Sequence, residues 1–541
     1  MDKITNSRFN YAPTIKKGRT RFDLSHNVLT TFNTGDLVPV LVEPVYPGET
    51  FSLKTASLVR LETSLHQTMD NAYLEFAFFF VPNRIIYDDF EKFLGANDDP
   101  WTQTVNFHIP QILLTNAGTA ATVGPQSLIN QLGVPAGNYG NGASNKYLSI
   151  SALPLRAVFQ CYNDWYRDEN YDSIIYFAKD GNDKFVDSTY LWNGVPQYFN
   201  SNLFPLRVNR FKDLFSTCLP APQKGAESSL SLTGYLPVGF LGDTNASSTT
   251  SFAFNDLGGF EQLTNNAPGL TDGKLVADSR SLNVTINQLR LAIVSQAVSE
   301  LKARAGTRYK EILYSTWSVD APDAVLDRAE FLGGKRIPIS MLEVLQTSET
   351  GTTVLGTDAG HSKTLDASDS FVKSFTQHGW IIGFAYCRTA RSYSQGIDRK
   401  LCDRDYYDLY QPLLDNIGEV PVYKKQLYAL DTSSTGAVDV SNQVFGYQEA
   451  WYHLKERTNQ IRGYFQSGIT GTMDSWHYGD SYNTWPSMSS SWLKEGTANV
   501  DRTIAVQSSV SYQWTLSCHF ELYATRMMHK YSIPNTFGFG F

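Results

Sequence analysis

The sequence predicts a mainly β chain, an antiparallel sandwich with large inserted loops and a few helices. Three observations lead there: several segments alternate apolar and polar residues, aromatics make up 13% of the chain, and 39 Gly and 22 Pro punctuate its 541 residues. Alternation puts successive side chains on opposite faces of a strand. Phe and Tyr suit pleated surfaces and broad contacts better than helical bundles.

In chain order, FSLKTASLVRL places Phe51, Leu53, Val59 and Leu61 on one parity. YLEFAFFF does the same with Leu74, Phe76, Phe78 and Phe80. The segment TINQLRLAIVSQAVSELKARAG reads as a helix, because Ile286, Leu289, Ile293, Ala297 and Leu301 recur at three- and four-residue spacing. Thr285 and Gln288 form a capping-box pattern and Gly306 stands where the helix should stop; its apolar face is expected to pack. WIIGFAYC, from Trp380 to Cys387, is apolar on both parities, as in a central strand covered on two sides. The clearest alternation closes the chain: Tyr512, Trp514, Leu516, Cys518, Phe520 and Leu522 point one way and Gln513, Thr515, Ser517, His519 and Glu521 the other.

These strands are dispersed from Leu29 to Tyr523 with long insertions between them, and no Pro/Gly-rich linker separates compact blocks. The expectation is therefore one sandwich spanning residues 1–541. An eight-stranded jelly roll is the natural candidate, since it tolerates long loops while its sheets close on each other.

A chain that is 42% hydrophobic and 18% charged is globular in composition. No segment nears the roughly 18 apolar residues of a membrane span; the densest run, Phe76 to Val81, stops at Pro82. The N-terminus has no apolar h-region, so a soluble, non-exported chain is expected. Cys161, Cys218, Cys387, Cys402 and Cys518 are an odd number without a C-x-x-C pair, which suggests reduced, mostly buried thiols rather than disulfides or zinc.

Charge is unevenly placed. Residues 1–21 hold Lys3, Arg8, Lys16, Lys17, Arg19 and Arg21 against Asp2 alone, a net +5, which leaves −13 on the remainder of a chain totalling −8. A basic arm on an acidic body points to an anionic polymer partner, the bland alternative being a solvated tail. Residues 226–283 are rich in Gly, Ser, Thr and Asn and acidic on balance, and GNYGNGASN (Gly137 to Asn145) reads as a surface loop.

Catalytic motifs are missing: there is no P-loop, H-E-x-x-H, G-x-S-x-G or EF-hand pattern. No cofactor or metal site follows. Asp474, His477 and Asp480 could form an acid–base cluster, and Asp403, Asp405 and Asp408 could pair as in a glycosidase; loop contacts and solvated charges are the plainer reading. A carbohydrate-binding or carbohydrate-hydrolysing sandwich is thus the alternative to a structural role. In WYHLKERTNQIRGYF, Lys455, Arg457 and Arg462 could meet phosphates while Trp451, Tyr452, Tyr464 or Phe465 stack on bases. The same segment could equally be an aromatic-rich core or inter-subunit stretch.

A wider set of motifs resembles the major capsid proteins of gokushoviruses, small single-stranded DNA phages of the Microviridae. They run in order from RTRFDLSHNVLTTFNTGDLVPV (Arg19 to Val40) and PVYPGETF through MDNAYLEFAFFFVPNRIIYDDFEKFLG, YNDWYRDEN, INQLRLA, AGTRYKEIL and PDAVLDRAEFLGG to HGWIIGF, VFGYQEAWY, SWHYGD, DRTIAV and RMMHKYSIP. Residues 226–283, parts of 115–150 and 171–202, and the terminal FGFGF depart from the family pattern.

The resemblance implies a viral-capsid jelly roll without enzymatic activity. Copies of the chain would self-assemble, in the cytoplasm of a bacterial host, into a small T=1 icosahedral shell around circular single-stranded DNA. It further implies that the insertion from Ala226 to Asn283 projects at threefold axes and meets a host surface receptor. A small basic DNA-binding protein, a minor virion protein and a scaffolding protein would be partners. Inner-surface DNA contacts would fall to Lys3, Arg8, Lys16, Lys17, Arg19 and Arg21, then Lys455, Arg457 and Arg462.

Overall fold

Eight long strands carry the architecture of the computed structural model: β1 His26–Phe32, β2 Asp36–Val45, β3 Thr50–Leu61, β4 Ala72–Pro82, β5 Glu330–Pro338, β6 Thr364–Ser374, β7 Gly379–Thr389 and β8 Trp514–Arg526. The structure describes residues 18–96, 107–116, 119–125, 127–139, 148–185, 206–226, 238–240, 252–254, 260–262, 275–277, 285–345, 358–429 and 443–531. Lys3, Arg8, Lys16, Lys17, most of 226–283 and most of GNYGNGASN lie outside these.

One sheet runs β1-β8-β3-β6 and the other β2-β7-β4-β5. Each of these pairings is antiparallel. First strand pairs with last, second with seventh, third with sixth and fourth with fifth, alternate pairs falling in opposite sheets. That order is a jelly roll. The long insertions fall between β4 and β5 and between β7 and β8.

The alternation predicted for β8 is what the strand shows. Trp514, Leu516, Cys518, Phe520, Leu522 and Ala524 are all buried, and the residues between them face outward or sit partly covered. They meet Phe51, Leu53 and Val59 of β3 and Leu74, Phe76, Phe78 and Phe80 of β4 in one core between the sheets. Each large apolar side chain so buried contributes about 1.5–3 kcal/mol. Trp514 also donates its indole N–H to Thr34 Oγ1 at 2.8 Å, so its polar edge is satisfied.

The other face of the second sheet is covered too. Ala77, Phe79 and Val81 of β4 and Ile382, Phe384 and Tyr386 of β7 pack with Leu155, Val158 and Phe159 of helix α1 (Leu153–Cys161) in a second core. Phe79 lies 5.5 Å from the Trp165 ring and 6.0 Å from Phe384. This explains why β4 and β7 are apolar on both parities, whereas β8 alternates. Cys161, Cys218, Cys387 and Cys518 are buried, Cys402 is half-buried, and no disulfide joins any of the five.

By its contacts the chain divides into two units, Met1–Pro220 with Arg308–Phe541, and Ala221–Thr307. The second contains the short hairpins Val238–Phe240 with Leu275–Ala277 and Phe252–Phe254 with Phe260–Gln262. Helix α2, Ile286–Arg304, belongs to it. The capping box forms as expected: Gln288 N–H donates to Thr285 Oγ1 at 3.2 Å and Thr285 N–H to Gln288 Oε1 at 3.0 Å. Gly306 follows the helix with φ +96, a left-handed stop.

The expected packed face, however, is not buried; no residue of α2 is. Ile286, Leu289, Ile293 and Leu301 are exposed, and so are Leu291, Val294 and Val298. Three- and four-residue spacing reports a helix, not what it packs against.

Candidate nucleic-acid interface

The basic N-terminal segment enters the fold along the edge of β8. Thr20–Asp23 pairs antiparallel with Tyr523–Arg526, the Leu24 N–H donates to Leu522 C=O at 2.8 Å, and β1 then pairs with Trp514–Phe520. Residues 20–32 thus line the length of one strand, broken only around Leu24 and Ser25. Arg21 and Asp23 point outward and are exposed. The Arg21 guanidinium lies 3.8 Å from the centre of the Tyr523 ring, a cation–π contact that holds it to the sheet. Arg19 is exposed just before the strand begins. Lys3, Arg8, Lys16 and Lys17 precede the described residues.

A second basic cluster forms in the β7–β8 insertion. Asn459–Gln460 pairs with Ser392–Tyr393, which brings residues 457–462 beside Asp398, Arg399 and Lys400. They bound a groove of about 580 Å³ with Arg399, Lys400, Arg457 and Arg462 among its lining residues, against Asp398 and Glu456. Asp398 accepts from Lys400 Nζ and from Gln460 Nε2, each at 3.0 Å, and Arg457 Nη1 stands 3.8 Å away. Burial raises the Asp398 carboxyl, but the hydrogen bonds from Lys400 and Gln460 outweigh it and hold the group below the usual carboxylate range.

Of the three cations named from the sequence, Arg457 and Arg462 therefore share a groove. Lys455 does not line it; its ammonium pairs with Glu449 at 2.6 Å on the surface. Arg399 and Lys400 were missed, although the run IDRK (Ile397 to Lys400) was a visible charge signal. Among the aromatics, Trp451 and Tyr452 are buried, Phe465 is half-buried, and Tyr464 presents an open ring at 69% exposure. Tyr452 spends its hydroxyl on Gln426 Oε1 at 2.7 Å. Of the four aromatics named from the sequence, Tyr464 is the one with a solvent-facing ring.

The acid–base alternative dissolves in the contacts its residues make. His477 Nδ1 accepts from the Gly479 N–H at 3.0 Å, so the proton sits on Nε2 and is donated to the Phe465 carbonyl at 2.6 Å. Burial holds that imidazole below its ordinary pKa. Asp480 is enclosed by Arg391 at 2.8 Å, Arg210 at 2.7 Å, Asn499 at 2.7 Å and Tyr482 at 2.9 Å. Burial alone would raise its carboxyl; Arg391 and Arg210 outweigh that and hold it at about 2. Arg391 also pairs with Glu495 at 2.6 Å, and Thr389 at the end of β7 donates to the same carboxylate at 2.9 Å, closing a buried network that joins this end of β7 to the distant segments carrying Arg210 and Glu495. Asp408 accepts from Arg399 at 3.1 Å and from the backbone N–H groups of Arg404 and Asp405, a turn clasp rather than half of a catalytic pair. Among the described residues no three His, Cys, Asp or Glu side chains gather as a metal site.

A family model described as capsid protein (F protein) matches residues 11–536. The capsid protein VP1 of Spiroplasma virus 4 is 33% identical over 95% of both chains. The capsid protein VP1 of Bdellovibrio phage phiMH2K is 30% identical over 98% of both, and that of Chlamydia phage 1 is 30% identical over 99% of this chain and 98% of its own. These matches run from end to end of a chain folded as a jelly roll. The chain belongs to the phage F-protein capsid family, as a self-assembling major capsid protein of the gokushovirus type in the Microviridae, resident in the virion of a single-stranded DNA phage and assembled within a bacterial host.

Proposed function

We propose that the shell built from this chain is electrostatically two-sided, with the basic arm of residues 1–21 inside on the circular single-stranded genome and the acidic insertion from Ala226 to Asn283 outside. The observation that carries this is the net +5 of the arm against −13 on the rest of the chain. The Thr20–Phe32 edge supports it, since it anchors the arm's end to the sheet. Phosphates are met without reading sequence. Arg21 is already engaged by Tyr523, so the arm contributes five further cations, and binding should fall with salt at a slope of about −3.5 per copy. The groove of Arg399, Lys400, Arg457 and Arg462 adds a second phosphate contact, with exposed Tyr464, next in sequence to the lining residue Gly463, as the stacking ring.

Outside, the insertion projects at the threefold axes and binds a host surface receptor; its acidic composition, rich in Gly, Ser, Thr and Asn, supports that reading. A small basic DNA-binding protein, a minor virion protein and a scaffolding protein complete the assembly. The arm is tested by changing Lys3, Arg8, Lys16 and Lys17 to Gln and comparing nuclease-protected DNA per particle with shell yield. DNA content should fall well before shell yield does; particles with a normal genome content would sink the proposal.

A further inference from the structure

Within the β7–β8 insertion, residues 401–417 hold an unusual concentration of uncovered apolar side chains. Leu401 is 73% exposed, Tyr406 68%, Tyr407 73%, Leu409 58%, Tyr410 48%, Leu413 95% and Ile417 53%. Scattered exposed apolar residues are ordinary, but seven in seventeen positions are not. Weighted by exposure, they present roughly 900 Å², near one partner's share of a standard protein–protein interface at about 800 Å².

The segment is not a loose loop. It is built from short turns at Arg399–Leu401, Tyr406–Asp408 and Pro412–Leu414, none of which buries a residue. Asp408 clasps it internally through the Arg404 and Asp405 N–H groups, both at 3.0 Å, and through Arg399. Trp451, itself buried, donates its indole N–H to the Leu414 carbonyl at 2.9 Å and meets the Tyr410 ring edge-on at 5.4 Å. Asp403, Arg404, Asp405 and Asp415, interspersed among them in the sequence, are charged and exposed. A rigid aromatic and aliphatic surface with a charged rim is how an interface centre is made, because little order remains to be imposed on binding.

We infer that residues 401–417 are an inter-subunit contact, docking onto a second copy of this chain in the shell. The occupant is set by area and by role. The exposed surface matches a stable protein contact, and the chain is a capsid protein whose own copies are its principal neighbours. Tyr407 and Leu413 are the central anchors.

The test uses full-length protein in a Cys402→Ser background, since the other four cysteines are buried. The thiol introduced by Leu413→Cys is labelled with a maleimide in dissociated protomers, in shells of this chain alone and in complete virions. Labelling should be at least tenfold slower in both assembled forms. Equal rates in protomers and shells would overturn the assignment, as would protection in virions that is absent from shells of this chain alone, which would assign the surface to another virion protein. In parallel, Leu413→Asp with Tyr407→Asp should leave the protomer melting temperature unchanged and lower shell yield at least tenfold. Wild-type yield from that variant would overturn it equally.

Discussion

Replacing Arg391 by Met removes the centre of the buried network. The guanidinium is 5% exposed and bridges Asp480 (3%) and Glu495 (0%) at 2.8 and 2.6 Å. Asp480 would keep Arg210, Asn499 and Tyr482, whereas among the described residues the Glu495 carboxylate would keep only the Thr389 hydroxyl at 2.9 Å. At an effective dielectric near 20 each close pair is worth about 4 kcal/mol, offset by the several kcal/mol needed to desolvate the charges. Removing one partner and leaving Glu495 buried and unbalanced should cost about 3–5 kcal/mol. Urea unfolding of protomers reads this directly. Adding Glu495→Gln should recover at least half, because the orphaned charge rather than the lost pair is the larger penalty.

A pH series gives a second readout of the same network. Asp480 is held at about 2 against an ordinary 3.8, so it stabilises the fold above the unfolded value and loses that contribution as pH falls from about 4 to about 2. Without Arg391 that depression weakens, and acid unfolding should begin at higher pH. A single variant within about 1 kcal/mol of the parent, or a double variant no better than the single, would refute the reasoning.

Two further outcomes follow from the turn between β1 and β2. Asp36 is buried enough to be raised to about 6, with the Asn33 N–H at 3.0 Å and Arg207 at 3.8 Å only partly offsetting that. A raised acid weakens the fold above its folded value and is relieved as pH falls toward 3.8, so Asp36→Asn should stabilise protomers at pH 7.5 and lose its advantage near pH 4 in thermal melts. Gly35 has φ +86, and a Cβ there would stand 2.4 Å from the Glu495 carbonyl oxygen; Gly35→Ala should cost more than about 1–2 kcal/mol by urea titration. Parent-like stability would show that the turn can shift.

Much of the fold was written in local pattern. The alternation of Trp514 to Leu522 named the inward face of β8 residue by residue, and the two-sided apolarity of Trp380 to Cys387 announced a strand covered on both faces. Capping residues placed both ends of α2, because Thr285, Gln288 and Gly306 act within one turn of chain. Charge along the chain likewise marked the basic arm, since net charge needs no coordinates.

Partners were not legible, because nothing local encodes them. Period two separates inside from outside but does not say that Asn27 meets His519, 492 residues away, or that the first strand pairs with the last. Asp480 looked available for acid–base chemistry until the fold delivered Arg210 and Arg391 to it. The same reason divides Lys455 from Arg457 and Arg462: neighbours in sequence, they part when Gln460 pairs beside Ser392 and Tyr393 and the groove turns to Arg399 and Lys400. Sequence determined which residues are strands, caps and charges. Tertiary structure decided which of them are spent on one another and which, like Tyr407 and Leu413, stay uncovered for a neighbour, since desolvation and pairing depend on contacts that only the closed sandwich creates.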